Sequence, residues 1–244
     1  MKVKQKTGTE MSVIAKITVD ATGRARRLAR RFEEEEKRSA ARLVAFKTHL
    51  AHASAEPNVC EIYAYSGGYG GCNQVEDGLY NLCFITTSAD TRRMGSDPEM
   101  LMRKIVAGNG RAADVLKTAE VVRPWLAVPI EGFGRGDLIP AAGMICVGDT
   151  AAFIDPFTGS GILMALESAK VASAVVAEGL TNRRDFRFID DSYRERYEIT
   201  FGSRLRLCSL LRFSAFVPAI AGAVISVLST SSHLRRRIAS STRT

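Results

Sequence analysis

The sequence has no CxxC pair, only three histidines, and neither an acidic residue nor a lysine from position 201 to its end. Its cysteines, at 60, 72, 83, 146 and 208, are odd in number and lack metal-ligand spacing, which argues for reduced thiols over a disulfide framework. His49 and His52 are three apart, but they fall at a strand end and in a loop with no third ligand nearby, so no metal site is expected. The opening Lys2 to Thr9 is polar and charged and does not read as a signal peptide; with the cysteine pattern this leads us to expect a cytoplasmic protein. Long hydrophobic runs are scarce too. The run FVPAIAGAVISVL at 216–228 has 13 residues, is interrupted by Pro218 and Gly222, and falls short of the roughly 20 that a membrane-spanning helix needs. It reads as a buried or oligomer-facing helix; the alternative is peripheral membrane contact, because Arg235 to Arg237 follow it.

What is present is ordinary for a soluble globular protein: 244 residues, 46% apolar and 25% charged, enough for one large domain or two small ones. The net charge of +8 is concentrated, since seven arginines in 201–244 account for +7 of it. A basic tail of this kind contacts an acidic surface or keeps a protein soluble, and no nucleic-acid module accompanies it. Nucleic acid is therefore not an expected partner.

Val13 to Val19 alternates apolar and polar residues as a strand ending at Asp20, and ATGR follows as a turn. The run RARRLARRFEEEEKR (24–38) is read as a solvated helix or loop laced with ion pairs, with a phosphate contact from Arg24 as the sharper alternative. Strands are expected over 41–50, Val59 to Ser66, Tyr69 to Val75 and Leu79 to Thr87, joined into an antiparallel meander through Gly67-Gly68 and Glu76-Asp77-Gly78. Asp97 to Glu120 has helical spacing, with Pro98 in its first turn, and GNG at 108–110 is a helix-to-loop turn. Val121 to Ile130 is extended, 131–137 is a loop, Met144 to Val147 is a short buried strand, and Ile162 to Leu180 is a helix ending near Gly179. Further helices are expected over Asp190 to Phe201 and Leu205 to Phe213.

The most informative segment is CVGDTAAFIDPFTGSGILMALESAK, 146–170. Asp149 closes a strand, where α/β sheets bind ligands beyond their carboxyl edge, and a carboxylate there suits sugar or ribityl hydroxyls. Pro156, Gly159 and Gly161 shape a loop that opens into a helix, whose first N–H groups and partial positive charge favour an anion.

VGDTAAFIDPFTGSGILMALESA resembles the second FAD-contacting motif of flavoprotein monooxygenase-like oxidoreductases, and within them the branch of geranylgeranyl reductases and flavin-dependent halogenases. VDATGR (19–24) is similar to their other internal motif, and RLVAFKTHL…YSGGYGGCNQVEDGLYNLCFIT to their substrate-side sheet, which lies over the flavin ring. The resemblance extends to about residue 215. It implies an FAD-dependent oxidoreductase, moving hydride through flavin with NAD(P)H as the reductant and a small, apolar, prenyl-like substrate. Asp149 would bond the ribityl chain or pyrophosphate, and Gly148 would let the strand end approach it. Pro156 to Gly161 would pass beside the ring, with Gly159, Ser160 and Gly161 offering N–H groups and Ile162 beside them; Ala21, Thr22, Gly23 and Arg24 would line the other side. Asp155 is either a polar group near the ring or a helix cap or loop-stabilising carboxylate. No residue stands out as acid or base for the substrate.

Such proteins also carry a strand–GxGxxG–helix segment that this sequence lacks, as it lacks the WxWxIP pattern and lysine of tryptophan halogenases. The expectation is an α+β chain: a partial Rossmann-like FAD-binding α/β fold with an antiparallel substrate-side sheet and a helical C-terminal region. Residues 1–40 would be the remainder of the FAD-binding domain, 41–130 the sheet, 131–182 the segment with the GD motif, and 183–244 the basic helical region. The missing segment would come from a second chain, be lost in the gene model, or be absent from a decayed gene. A fragment that no longer binds FAD, or a membrane-associated interaction protein, is the alternative.

Overall fold

The structure, a computed structural model, describes residues 2–4, 7–33, 42–156 and 159–215 and the single positions 222, 226 and 233. In chain order the strands and helices are β1 (Lys2–Lys4), β2 (Glu10–Ser12), β3 (Thr18–Asp20), β4 (Leu43–Ala51), β5 (Cys60–Tyr65), β6 (Gly68–Gln74), β7 (Tyr80–Thr87), α1 (Ser88–Arg93), α2 (Pro98–Lys104), α3 (Gly110–Leu116), β8 (Glu120–Val121), β9 (Leu126–Ile130), β10 (Gly134–Arg135), β11 (Met144–Cys146), β12 (Ala152–Phe153), α4 (Gly161–Thr181) and α5 (Phe186–Ala215). The chain is α+β, with the antiparallel sheet and C-terminal helices expected of a partial FAD-binding α/β fold. It divides into two compact units, one within residues 1–36 and 134–206 and the other within 37–133 and 207–242. Among the described residues no helix is long and apolar enough to cross a membrane.

The first unit is built on β3 and β11, a parallel pair in which Val19 faces Ile145. Ile145, Cys146 and Val147 form an apolar run buried on both sides, as a parallel strand requires. Met164, Ala172 and Val175 of α4 and Ile189, Tyr193, Tyr197 and Phe201 of α5 join them in one core. The Tyr193 hydroxyl donates to the Cys146 carbonyl at 2.7 Å, which spares the phenol an unpaired burial. The strand expected from Val13 is cut to residues 18–20, because its partner β11 has only three residues; Glu10–Ser12 pairs with β1 instead, and Ile14 is fully exposed. α5 runs unbroken where two helices were expected, and Gly179 lies inside α4, under Ile189, with Asn182 as the C-cap. The expected helix at 216–228 lies outside the described residues, apart from Gly222 and Ser226.

The second unit is one sheet, ordered β5-β6-β7-β4, with β8 and β9 both pairing β4. β5, β6 and β7 meander as expected, but β4 pairs with β7 and not with its sequence neighbour β5. The reason is packing: this register sets Phe46 opposite Phe84, with ring centroids 5.1 Å apart. Alternation sends Phe46, Thr48, Leu50, Tyr63, Tyr65, Cys72, Leu82 and Phe84 to the face covered by Leu101, Met102, Val115 and Leu116. Burial of each of Phe46, Leu50, Leu82 and Phe84 contributes roughly 1.5–3 kcal/mol of hydrophobic stabilisation. The opposite face carries Ile62, Cys83, Lys47 and Leu126 in one cross-strand row about Gly71, all four exposed. Gly68 is required at its place, since a Cβ there would run into the Ile85 carbonyl; the Tyr65 ring covers the gap and its hydroxyl donates to that carbonyl at 3.0 Å.

The helix expected over 97–120 is two helices. Asp97 caps α2 through the N–H groups of Glu99 and Met100, and Asn109 ends the intervening turn by accepting from Ala112 N–H at 3.1 Å. The Asn109 amide also donates to the Ala64 carbonyl at 3.0 Å, tying α3 to β5. A second tie is ionic. The largely buried Glu61 carboxylate accepts two Arg111 bonds, at 2.6 and 2.8 Å, and one from Glu56 N–H at 2.8 Å.

The Arg111 guanidinium holds the Glu61 carboxyl below its usual range, against the smaller opposing effect of burial. Its folded pKa is therefore depressed, so its contribution is present above the unfolded value and lost as pH falls through the folded one. Glu61→Gln should cost about 1–2 kcal/mol in urea denaturation at neutral pH and reduce the acid sensitivity of the unfolding midpoint. An unchanged midpoint at neutral pH would contradict the assigned tie.

Candidate functional site

The site is built where β3 and β11 end. Asp20 closes β3 and is fully buried. Its Oδ1 accepts from Thr22 N–H at 2.9 Å and from the Thr22 hydroxyl at 2.7 Å; its Oδ2 accepts from Ala29 N–H at 2.8 Å and Leu28 N–H at 3.2 Å. The Thr22 hydroxyl in turn accepts from Arg27 N–H at 2.8 Å. The VDATGR turn and the segment up to Ala29 are thus wound around one carboxylate. Burial alone would raise the Asp20 pKa, but the combined bonds from Thr22, Ala29 and Leu28 outweigh it and leave the carboxyl below its usual range.

β11 leads into the second turn, Gly148–Thr150, a single 3₁₀ turn. Val147 N–H donates to the Asp20 carbonyl at 3.0 Å, and the Thr150 hydroxyl donates to the Gly23 carbonyl at 3.0 Å. Arg26 closes the assembly from below through the Thr150 carbonyl, the Asp137 carbonyl and Glu33. Gly148 has φ +59, and a Cβ there would stand 3.3 Å from the Ala165 side chain, so the turn can sit close to α4 only with glycine. Gly148 N–H donates to Ser168 at 2.8 Å, fixing the same approach. Asp149 is half-buried beside Arg24; burial pushes its carboxyl above the usual value, and the Arg24 charge opposes this.

From β12 the chain enters the loop toward α4. Gly159 N–H donates to the Pro156 carbonyl at 2.9 Å, closing a turn in which Gly159 has φ +64. Residues 157 and 158 lie outside the described residues. Ser160 occupies the N-cap of α4 without a side-chain capping bond, and no acidic residue lies in the first turn. The Ser160 side chain therefore takes none of the first N–H groups of α4, and the start of a 21-residue helix carries partial positive charge.

Ala21 to Arg24 and Gly148 to Thr150 meet directly, and Gly148 rests on α4. Ala21, Thr22, Arg24, Pro156, Gly159 and Ile162 are exposed, Gly23, Asp149 and Gly161 are half-buried, and Asp155 and Ser160 are buried. Asp155 does not cap α4, since Ser160 holds that position. Sequence reasoning missed Asp20, Thr150 and Arg26, which hold the two turns together. The signal for Asp20 was present: a lone carboxylate ending an apolar strand two residues before a threonine. Arg26 had none, lying inside a run of arginines. Among the described residues no group of three or more His, Cys, Asp or Glu could hold a metal ion.

Two parallel strands end in facing turns with a long helix directed at them, an arrangement of the partial α/β type. The chain shares its fold with flavin-dependent halogenases and FAD-dependent monooxygenases. The flavin-dependent brominase Bmp2 matches 97% of this chain at a TM-score of 0.75 and 18% identity, and the chain spans 59% of the brominase. Among curated proteins, digeranylgeranylglycerophospholipid reductase 2 of Methanothermobacter thermautotrophicus is 38% identical over 63 residues, 26% of this chain and 15% of that protein. The 1H-pyrrole-2-carbonyl-[peptidyl-carrier protein] chlorinase of Pseudomonas fluorescens is 35% identical over 69 residues, 28% of this chain and 15% of its own length. No family model matches the sequence.

Asp20→Asn would set an amide N–H₂ against backbone N–H donors in a buried place. We expect a loss of about 2–4 kcal/mol in thermal or urea unfolding. Because the folded pKa of Asp20 is depressed, the stability it confers in the native protein is complete above its unfolded value and disappears as pH falls through the folded value. A variant with unchanged stability near neutral pH would show that the turn does not depend on this carboxylate.

Proposed function

We propose that this chain forms one half of an FAD site in an FAD-dependent oxidoreductase. The observation that carries the reading is the convergence of the VDATGR and GDT turns through Thr150 and Gly23, with Gly148 held against α4 through Ser168. The residues fit such a group. Gly148 permits close approach, the half-buried Asp149 carboxylate suits hydroxyl donors, and the first turn of α4 suits an anionic edge. When bound, the flavin would supply hydride transfer, with NAD(P)H as the reductant we propose.

The chain's own residues bind and orient. Asp149 would accept hydroxyl bonds from the ribityl chain, and the Arg24 charge partly opposes the upward effect of burial on its carboxyl. Ser160 and Gly161 would offer N–H groups to the ring's polar edge, the Gly159 N–H being held by the Pro156 carbonyl, and Ile162, 81% exposed, would offer it an apolar contact. Asp20 and Thr22 hold the facing turn rigid, so that Ala21 and Gly23 line the group without reorganising. The substrate we propose is small and apolar, supported by the exposed Ile62, Leu126 and Val128 on one face of the sheet. No side chain of the site is assigned as acid or base.

Titration of the purified protein with FAD should quench flavin fluorescence saturably. Asp149→Ala should weaken that binding about tenfold, or about 1.4 kcal/mol, with unchanged unfolding. No saturable change at any FAD concentration would overturn the reading.

A further inference from the structure

β6 has glycine at three of its seven positions, although glycine weakens a strand interior and packs against nothing. Crowding accounts for two of the three. A Cβ at Gly68 would run into the Ile85 carbonyl, and one at Gly70 would stand 3.1 Å from the Phe84 side chain. Gly71 is different. Its φ is not positive, and a Cβ there would meet the Glu61 carbonyl at 3.5 Å and the Cys60 sulfur at 3.8 Å, both ordinary contact distances. Neither the backbone nor the packing requires glycine at this position, and a bare strand interior is where a ligand can approach closely.

The gap lies on the open face of the sheet. Ile62 and Cys83 flank it on β5 and β7, and the cross-strand row continues to Lys47 and Leu126. Ile62 and Leu126 are 51% and 62% exposed, so the row sets large apolar side chains in water on either side of a cation. Lys47 is exposed, and among the described residues no carboxylate pairs with it. His49 and Glu120 share this face further along, the one two residues from Lys47 on β4 and the other opposite Ala51. Neighbouring strands are about 4.8 Å apart, so Lys47 stands two strands, roughly 10 Å, from Gly71, and its apolar stem can lean back over Cys83.

We propose that the Gly71 notch and Lys47 together bind a small apolar carboxylate. A ring or short chain seats over Gly71 against Ile62, and the acid meets the Lys47 ammonium. One ammonium without a partner matches one negative charge, which selects a carboxylate over a phosphate dianion. The apolar body displaces water from around the ammonium, and the ion pair is stronger there than in full solvent. That this ligand is the substrate of an oxidoreductase rests on the proposed flavin reading; that it binds does not.

The test titrates the ¹⁵N-labelled full chain with 4-phenylbutanoate, with and without saturating FAD, and follows the amide signals of Gly71, Cys83 and Lys47. These should shift saturably, and the neutral isostere 4-phenylbutanamide should bind at least about tenfold more weakly. Gly71→Leu should weaken binding at least about tenfold while leaving the urea midpoint unchanged or higher, since the side chain has room. Lys47→Met should weaken it to a similar extent, and Lys47→Arg should restore it. Overturning results are no saturable shift in either condition, equal binding of acid and amide, or a Gly71→Leu variant that binds normally or is less stable. Equal or tighter binding of 3-phenylpropyl phosphate overturns the carboxylate, and shifts of the same signals with protein concentration alone put a second copy on this face. FAD titration separates the two readings: carboxylate binding without FAD affinity overturns the flavin site and leaves this one, whereas FAD binding without carboxylate binding does the reverse.

Discussion

The carboxylate of Asp20 accepts bonds from the N–H groups of Thr22, Leu28 and Ala29 and from the Thr22 hydroxyl, and the rest of the site is positioned relative to the turn it holds. A buried charge without partners costs several kcal/mol, so this arrangement is all-or-nothing: the donors must be in place for the ion to be buried, and the ion must be there for the donors to converge. That mutual requirement gives a glycine-containing turn a single conformation. Gly23 then presents its carbonyl to Thr150, which aligns the second turn with the first.

Two carboxylates near neighbouring strand ends have opposite environments. Asp20 is saturated by backbone donors and held below its usual pKa, whereas Asp149 is raised by burial and opposed only by the charge of Arg24. The first is committed to structure. The second retains acceptor capacity at a partly exposed position, which is what hydroxyl recognition needs. Similar residues one strand apart thus differ in environment: Asp20 is spent on its turn, and Asp149 is not.

The sheet unit is stabilised by different means. Its helices are capped by Thr87, Asp97 and Asn109, and α3 is pinned to β5 by the Glu61–Arg111 pair and the Asn109–Ala64 bond. These ties belong to the covered face and leave the other free to carry a mixed row of apolar, thiol and cationic side chains. A face relieved of core packing can differ in chemistry without loss of fold.

Much of this was legible in the residues. Strand alternation in 41–87, Pro98 after Asp97, and the GD loop before an apolar helix all act over a few residues, so local chemistry determines them. Non-local competition decided the rest. Only packing of Phe46 on Phe84 sets β4 beside β7, and only the three-residue length of β11 shortens β3. Asn109 splits a helically spaced segment because its amide finds Ala64 on another strand. The role of Arg26 depends on an acceptor 124 positions away, at Thr150, whereas Asp20 draws the donors of its carboxylate from within nine residues. The sequence by itself determined which turns could approach a cofactor; the tertiary structure decided which side chains hold those turns, because a hydrogen-bond partner is chosen by distance in space.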